Sequence, residues 1–434
     1  KNLVDTEVML GLLSKSGYTF TDDETQADII AINTCCFIGD AKEESINTIL
    51  EMAEYKKNGK CKALVVAGCL AQRYKDEIEK EIPEVDAIVG TSSFDKIVEV
   101  VDEVIKGKKK DIVLDPSRLP EVINGRVITT GGYYSYLKIA EGCDKYCTYC
   151  IIPYARGRIR SRSLEDLAEE ISKLAECGYK EIVLTGIHLS SYGKDISSDI
   201  ENDEEKITLI DAIKEVAKID GIKRIRLGSL EPGIITTEFL EELKSVDKFC
   251  PHFHLSLQSG CDETLKRMNR RYTAEEYYEK CELLRKYYDR VAITTDVIVG
   301  FPQESEEEFE ESRSFVEKVN FFETHIFKYS KREGTNAAKM PGQIPEQEKT
   351  RRSSILIELG KKHKREFLEY YLGKEIEILI EEEISLDGKK MQVGHTKEYM
   401  KAAVDAEKKL QNQIVKAKVI KVDENQMLRC TLEK

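Results

Sequence analysis

Three closely spaced cysteines constrain this chain more than any other feature. Glu141-Gly142-Cys143-Asp144-Lys145-Tyr146-Cys147-Thr148-Tyr149-Cys150 sets three thiols in a C-x3-C-x2-C spacing, directly after the apolar run Tyr136-Leu137-Lys138-Ile139. That run reads as a strand and the triplet as the loop at its carboxyl end. A helix capped at Ser163 follows, with Leu164, Leu167, Ala168, Ile171, Leu174 and Ala175 on one face and Gly178 as its stop. Strands are then expected at 181–184, 225–227, 254–257, 292–299 and 325–329, with helices at 274–287 and 306–319 among them. About six such β-α units predict a full or partial parallel barrel, whose site lies at the carboxyl ends of its strands.

Three thiolates so close can hold three corners of one iron–sulfur cube and leave the fourth iron without a protein ligand. An open iron suits the amino and carboxylate groups of S-adenosylmethionine. An electron from the cluster then breaks the S–C5′ bond and yields a 5′-deoxyadenosyl radical. The competing reading is structural zinc, which takes four ligands, often as two C-x2-C pairs or with a histidine. No second pair follows Cys150, so a [4Fe–4S] cluster on Cys143, Cys147 and Cys150 is expected. Gly186 is expected to let the backbone approach the methionine end of S-adenosylmethionine, and the polar groups that recur at successive strand ends, Ser229, Glu231, Gln258 and Asp296, to bind it. No catalytic acid, base or nucleophile stands out, and there is neither a hydrolase elbow nor a phosphate loop. His252 and His254 flank a strand and are expected to satisfy local hydrogen bonds.

The first hundred residues also alternate. Helices at 5–16, 41–55 and 94–105 and strands at 27–33, 63–67 and 86–89 predict a parallel sheet. Cys35 and Cys69 follow equivalent strand ends, where two cysteines can meet in space. Of the twelve cysteines, Cys61, Cys177, Cys250, Cys261, Cys281 and Cys430 stand alone and read as core or surface residues. The opening Lys1-Asn2-Leu3-Val4-Asp5 lies inside an amphipathic pattern and is not a signal peptide. No stretch approaches the roughly 20 apolar residues of a membrane span. A cytoplasmic chain is expected, in which cysteines serve as ligands rather than disulfides. After a polar connection at 107–130 and a charged helix at 346–371, the apolar period changes to two from Lys374 onward. With turns such as Asp387-Gly388, this predicts a small β-barrel of about 60 residues.

At these residues the chain resembles the methylthiotransferase family of radical S-adenosylmethionine enzymes. Asn33-Thr34-Cys35, Gly68-Cys69-Leu70-Ala71-Gln72, Gly142 to Pro153, Leu257-Gln258-Ser259-Gly260, Arg267-Met268-Asn269-Arg270, Val299-Gly300-Phe301-Pro302 and Tyr329-Ser330-Lys331-Arg332-Glu333-Gly334-Thr335 carry the likeness. Gln303 departs from it, since the family has glycine there. The resemblance implies an α/β fold with three parts: an N-terminal methylthiotransferase domain (1–125), a radical barrel (130–370) and a TRAM-like β-barrel (371–434). It also implies a second [4Fe–4S] cluster on three N-terminal cysteines. Cys35 and Cys69 match two of these, and the third lies upstream of Lys1. A monomer served by a flavodoxin or ferredoxin follows from the same likeness.

The substrate signals are mixed. Residues 1–153 resemble the type that methylthiolates an aspartate of a small-subunit ribosomal protein. From Tyr154 onward, including Thr185-Gly186-Ile187-His188, residues 254–271 and Gly394-His395-Thr396-Lys397-Glu398-Tyr399, the chain resembles the type acting on threonylcarbamoyl-adenosine beside the tRNA anticodon. The net charge of −13 demands a local basic patch for any nucleic acid. Arg156, Arg158, Arg160 and Arg162, and Lys266, Arg267, Arg270 and Arg271, are candidates. Because the barrel and tail side with the tRNA type, tRNA is the expected partner and the ribosomal protein the alternative. A non-enzymatic RNA-binding metal protein is the rival class.

Overall fold

A computed structural model describes residues 1–120, 125–198, 206–386, 388–406 and 408–433. Three parallel strands open the chain, β1 (Ile29–Thr34), β2 (Ala63–Gly68) and β3 (Ala87–Val89), in that spatial order. β2 lies in the middle and is buried along its whole length. Its continuous apolar run Ala63-Leu64-Val65-Val66-Ala67 is the signature of a parallel strand covered on both faces. Leu64 and Val66 pack under the Gly39–Asn58 helix with Ile49 and Ala53. Ala63, Val65 and Ala67 meet the Ile97–Ile105 helix through Ile97, Val100 and Val101.

The central region holds β4 (Tyr134–Glu141), a short antiparallel β5 (Arg160–Ser161), β6 (Glu181–Gly186), β7 (Arg224–Leu227), β8 (His252–His254), β9 (Ala292–Val299) and β10 (Glu323–Lys328). β5, β4, β6 and β7 form one sheet, and β8, β9 and β10 another. The bridges Ile225–Phe249 and Leu230–Leu255 join them edge to edge. The result is an open barrel of parallel strands with helices outside, the partial form of the expected barrel. Its Leu164–Glu176 helix is capped by Ser163, whose hydroxyl accepts from the Asp166 amide. One strand lies earlier than expected: 252–254 rather than 254–257. Beyond His254 the pairing continues only as isolated bridges, Leu255 to Leu230 and Gln258 to Val297, and Gln258 takes a left-handed φ of +72°.

The tail closes into a barrel of β11 (Glu375–Leu386), β12 (Lys389–His395), β13 (Lys401–Val404), β14 (Ile414–Val422) and β15 (Leu428–Leu432), in the order β11-β12-β13-β15-β14. Asp387 of the expected turn lies outside the described residues, as do residues 121–124 of the polar connection. Among the described residues no helix is long and apolar enough to cross a membrane.

Two arginines of β7 fasten this small barrel to the large one. Arg226 binds Glu181 (Nε–Oε1 2.7 Å) and donates to the carbonyls of Lys397 (2.9 Å) and Thr396 (3.1 Å). Arg224 donates to the carbonyls of His395 (2.8 Å) and Glu377 (3.2 Å). Tyr399 lies under the Arg226 guanidinium and stacks on His395. Removing one partner of a buried pair strands the other charge. Arg226→Ala should therefore destabilise the chain by about 3–5 kcal/mol, read as a lowered urea midpoint; an unchanged midpoint would show that the pair holds nothing.

Candidate iron–sulfur site at the strand tips

Parallel strands place their loops at one edge, and here two sheets aim their carboxyl edges at each other. Between them lies a cavity of about 350 Å³. Cys143, Cys147 and Cys150 line it from the loop after β4, Cys35 from the end of β1, and Cys69 from the end of β2. Ser229, Glu231, Gln258 and Asp296 line it as well. Gly186 does not reach it. A Cβ there would stand 3.1 Å from the Ala140 carbonyl and 3.1 Å from a Leu189 methyl, so this glycine permits close packing behind the wall that its neighbours Ile187 and His188 form.

The cysteine loop is pinned from both sides. Gly142 takes φ +72°, and a Cβ there would lie 1.8 Å from the Arg158 carbonyl. The Cys143 amide donates to Gly157 (3.0 Å), the Thr148 amide to Met268 (3.1 Å), and the Thr148 hydroxyl to Arg267 (2.8 Å). Asn269 donates its side-chain amide to the Tyr146 carbonyl (3.1 Å), where the backbone is left-handed at φ +49°. Burial pushes the Cys143 thiol up to about 11 and the Cys150 thiol up to about 12, with the neighbouring Cys147 thiol adding to both. Such thiols gain from a positively charged iron centre that takes them as thiolates. Among the described residues no three His, Cys, Asp or Glu side chains converge as ligands of one ion would. Three thiols on one loop can take three corners of an iron–sulfur cube, whereas a structural zinc takes four ligands.

Glu231 is the anionic wall of the cavity. Burial alone would raise its carboxyl, but His188 Nε2 (3.1 Å), Arg270 Nη1 (3.5 Å) and Lys145 Nζ (2.6 Å) hold it at about 2. Asp296 meets His254 Nε2 at 3.2 Å, while His254 Nδ1 lies 3.0 Å from the Thr294 hydroxyl. His254 is thus part of the site's surroundings as well as locally bonded. Cys36 is buried and does not line this cavity; it lines a neighbouring one with Tyr74 and Arg332.

Five members of the two basic runs make bonds within the protein, while Arg158, Lys266 and Arg271 are exposed. Arg156 is buried, with Nε 3.3 Å from Cys69 Sγ and Nη1 on Asp5 and Glu141. Arg162 pairs with Glu170 (2.6 Å), and Arg160 donates to the carbonyls of Arg156 and Arg158. Arg267 pairs with Glu308, and Arg270 lies against Cys147 Sγ at 3.4 Å. Sequence reasoning missed Arg156 and Arg270 as parts of the site, because a run of arginines gives no sign of which member turns inward.

Comparison with known proteins agrees with this geometry. The Radical SAM superfamily matches residues 137–316, and the uncharacterized protein family UPF0004 matches residues 1–90. A protein of Lachnoclostridium phytofermentans named ribosomal protein uS12 methylthiotransferase RimO is 48 % identical over 388 residues, covering 89 % of this chain and 87 % of that one. The chain belongs to the radical S-adenosylmethionine methylthiotransferase family. A protein of the same name from Clostridioides difficile is 42 % identical, covering 88 % of this chain and 85 % of the relative. In fold, the methylthiotransferase resembles the radical S-adenosylmethionine methyltransferase TsrM of Kitasatospora setae, at TM-score 0.56 and 13 % identity, over 77 % of this chain and 74 % of that one. It is a transferase that uses iron–sulfur clusters and S-adenosylmethionine.

These relatives overturn the expectation of a tRNA substrate. A match of 388 residues cannot be confined to the first 153, so the division of the chain into two substrate types falls. Residues 395–399, which suggested the tRNA type, serve the join between the two barrels. Arg156, Arg162, Arg267 and Arg270 are paired with carboxylates within the protein.

Gly142→Ala should stop iron loading at the Cys143 loop, because the methyl group would sit on the Arg158 carbonyl in a backbone conformation that alanine disfavours. The check is iron content and cluster absorbance after anaerobic reconstitution; a fully loaded variant would show that the loop tolerates rearrangement.

Proposed function

We propose that this protein inserts a methylthio group at an unactivated carbon of an aspartate in ribosomal protein uS12. The observation that carries the proposal is the meeting of two cysteine sets, from two different parallel sheets, on one cavity in a chain whose relatives bear that protein in their name. On this reading Cys143, Cys147 and Cys150 hold the radical cluster, and Cys35 and Cys69 are ligands of the second. The three regions 1–125, 130–370 and 371–434 are separate domains, and the enzyme works in the cytoplasm.

When bound, the radical cluster supplies the electron for cleavage of S-adenosylmethionine, and so the hydrogen abstraction that a carbon without an acidic proton requires. The chain's own residues bind and enclose. Glu231 and Asp296 present carboxylates to the cationic and hydroxyl groups of S-adenosylmethionine, and Ser229 and Gln258 add neutral hydrogen bonds. Tyr149, packed edge-on against Phe301, closes the floor behind Cys147 and Cys150 and keeps water from it.

The test is mass spectrometry of uS12 after reaction with the anaerobically reconstituted enzyme, S-adenosylmethionine and dithionite. A methylthio gain on one aspartate is expected, and Cys150→Ala should abolish both this gain and 5′-deoxyadenosine formation. If 5′-deoxyadenosine forms while uS12 stays unmodified, the substrate assignment fails.

A further inference from the structure

Arg156 and Arg270 are buried cations with more donors than their carboxylates use. Arg156 sits in a charge-balanced group: Lys138 and Arg156 face Asp5 and Glu141, all on buried side chains. Its Nη1 is held by Asp5 Oδ2 (3.0 Å) and by Glu141 (3.0 and 3.1 Å), and its Nη2 reaches Asn2 Oδ1 (3.3 Å). The planar fork then fixes the direction of Nε–H, which donates to Cys69 Sγ (3.3 Å). Arg270 is pinned in the same manner by different partners. Nε donates to the Tyr272 hydroxyl (2.9 Å), Nη2 to the Ser256 carbonyl (3.1 Å), and Nη1 to Cys147 Sγ (3.4 Å). Cys69 and Cys147 belong to different cysteine sets. Each set therefore receives one aimed guanidinium N–H.

We propose that Arg156 and Arg270 are positioning residues that donate an N–H to one cysteine thiolate of each cluster, and that each thereby raises the reduction potential of its own cluster. The inference rests on the two-cluster reading above. A hydrogen bond to a ligand sulfur stabilises the more negative, reduced state, and hydrogen bonds to the sulfurs are among the determinants of cluster potential. Lysine would keep the charge but lacks the fork, so it cannot satisfy the carboxylates and aim at sulfur together.

The experiment is a redox titration followed by electron paramagnetic resonance on the anaerobically reconstituted full-length protein, with iron and sulfide content measured alongside. Arg156→Lys should lower the potential of the cluster at Cys35 and Cys69 and leave the other unchanged. Arg270→Lys should lower the potential of the cluster at Cys143, Cys147 and Cys150 alone. Should Arg156→Lys fail to load, Arg156→Met with Asp5→Asn removes the donor while keeping the buried group neutral, and the same downward shift is expected. Unchanged potentials in fully loaded variants overturn the proposal. A wild-type protein that holds a single cluster defeats the two-cluster reading and Arg156's role with it, while the Arg270 shift still decides the other half.

Discussion

Two carboxylates and two cations, Asp5, Glu141, Lys138 and Arg156, are buried together where the first helix (Asn2–Lys15) meets β4. The group bridges the N-terminal region and the strand that leads to the cysteine loop. Asp5 comes from the N-terminal region, while Lys138 and Glu141 come from the strand that delivers Cys143. A buried pair contributes little against a well-packed apolar alternative, but losing one member costs about 3–5 kcal/mol. The group lies at the junction of the two regions whose cysteine sets open onto the same cavity. The Gly142 turn and the Gln258 bend then place the site's side chains on that shared floor.

Much of this was legible before any coordinates. The continuous apolar run at 63–67, the capped helix after Ser163 and the helices at 274–287 and 306–319 lie where their periodicity puts them, because burial on one or both faces fixed the pattern. The cysteine spacing located the site, and Cys35 and Cys69 do reach the same cavity from adjacent strands. The strand at 252–254 was misplaced because Leu255 and Leu257 keep strand-like alternation where the pairing has thinned to isolated bridges. Gly186 was read for its closeness to the cofactor, and the structure adds that a Cβ there would crowd Ala140 and Leu189.

The arginines show the limit most clearly. In sequence, Arg156 stands in a run that alternates with small residues and reads as an exposed basic strip. In space it is the buried hub of the docking group, and Arg270 occupies the matching position on the other side of the cavity. Burial of a charge depends on acids far away in sequence, here Asp5 and Glu231, and no local pattern announces them. The tRNA expectation had another origin: the barrel and tail resembled the tRNA type, but relatives named for uS12 match over 388 residues, and the 395–399 segment joins two barrels.

The central claim is that one cavity brings S-adenosylmethionine on the Cys143, Cys147 and Cys150 cluster together with an aspartate of uS12. The most direct measurement is isotope transfer from uS12 labelled with deuterium on its aspartate side-chain methylenes. The account predicts that deuterium appears in 5′-deoxyadenosine as the methylthio group is added. 5′-Deoxyadenosine that forms without deuterium, alongside modified uS12, would contradict it.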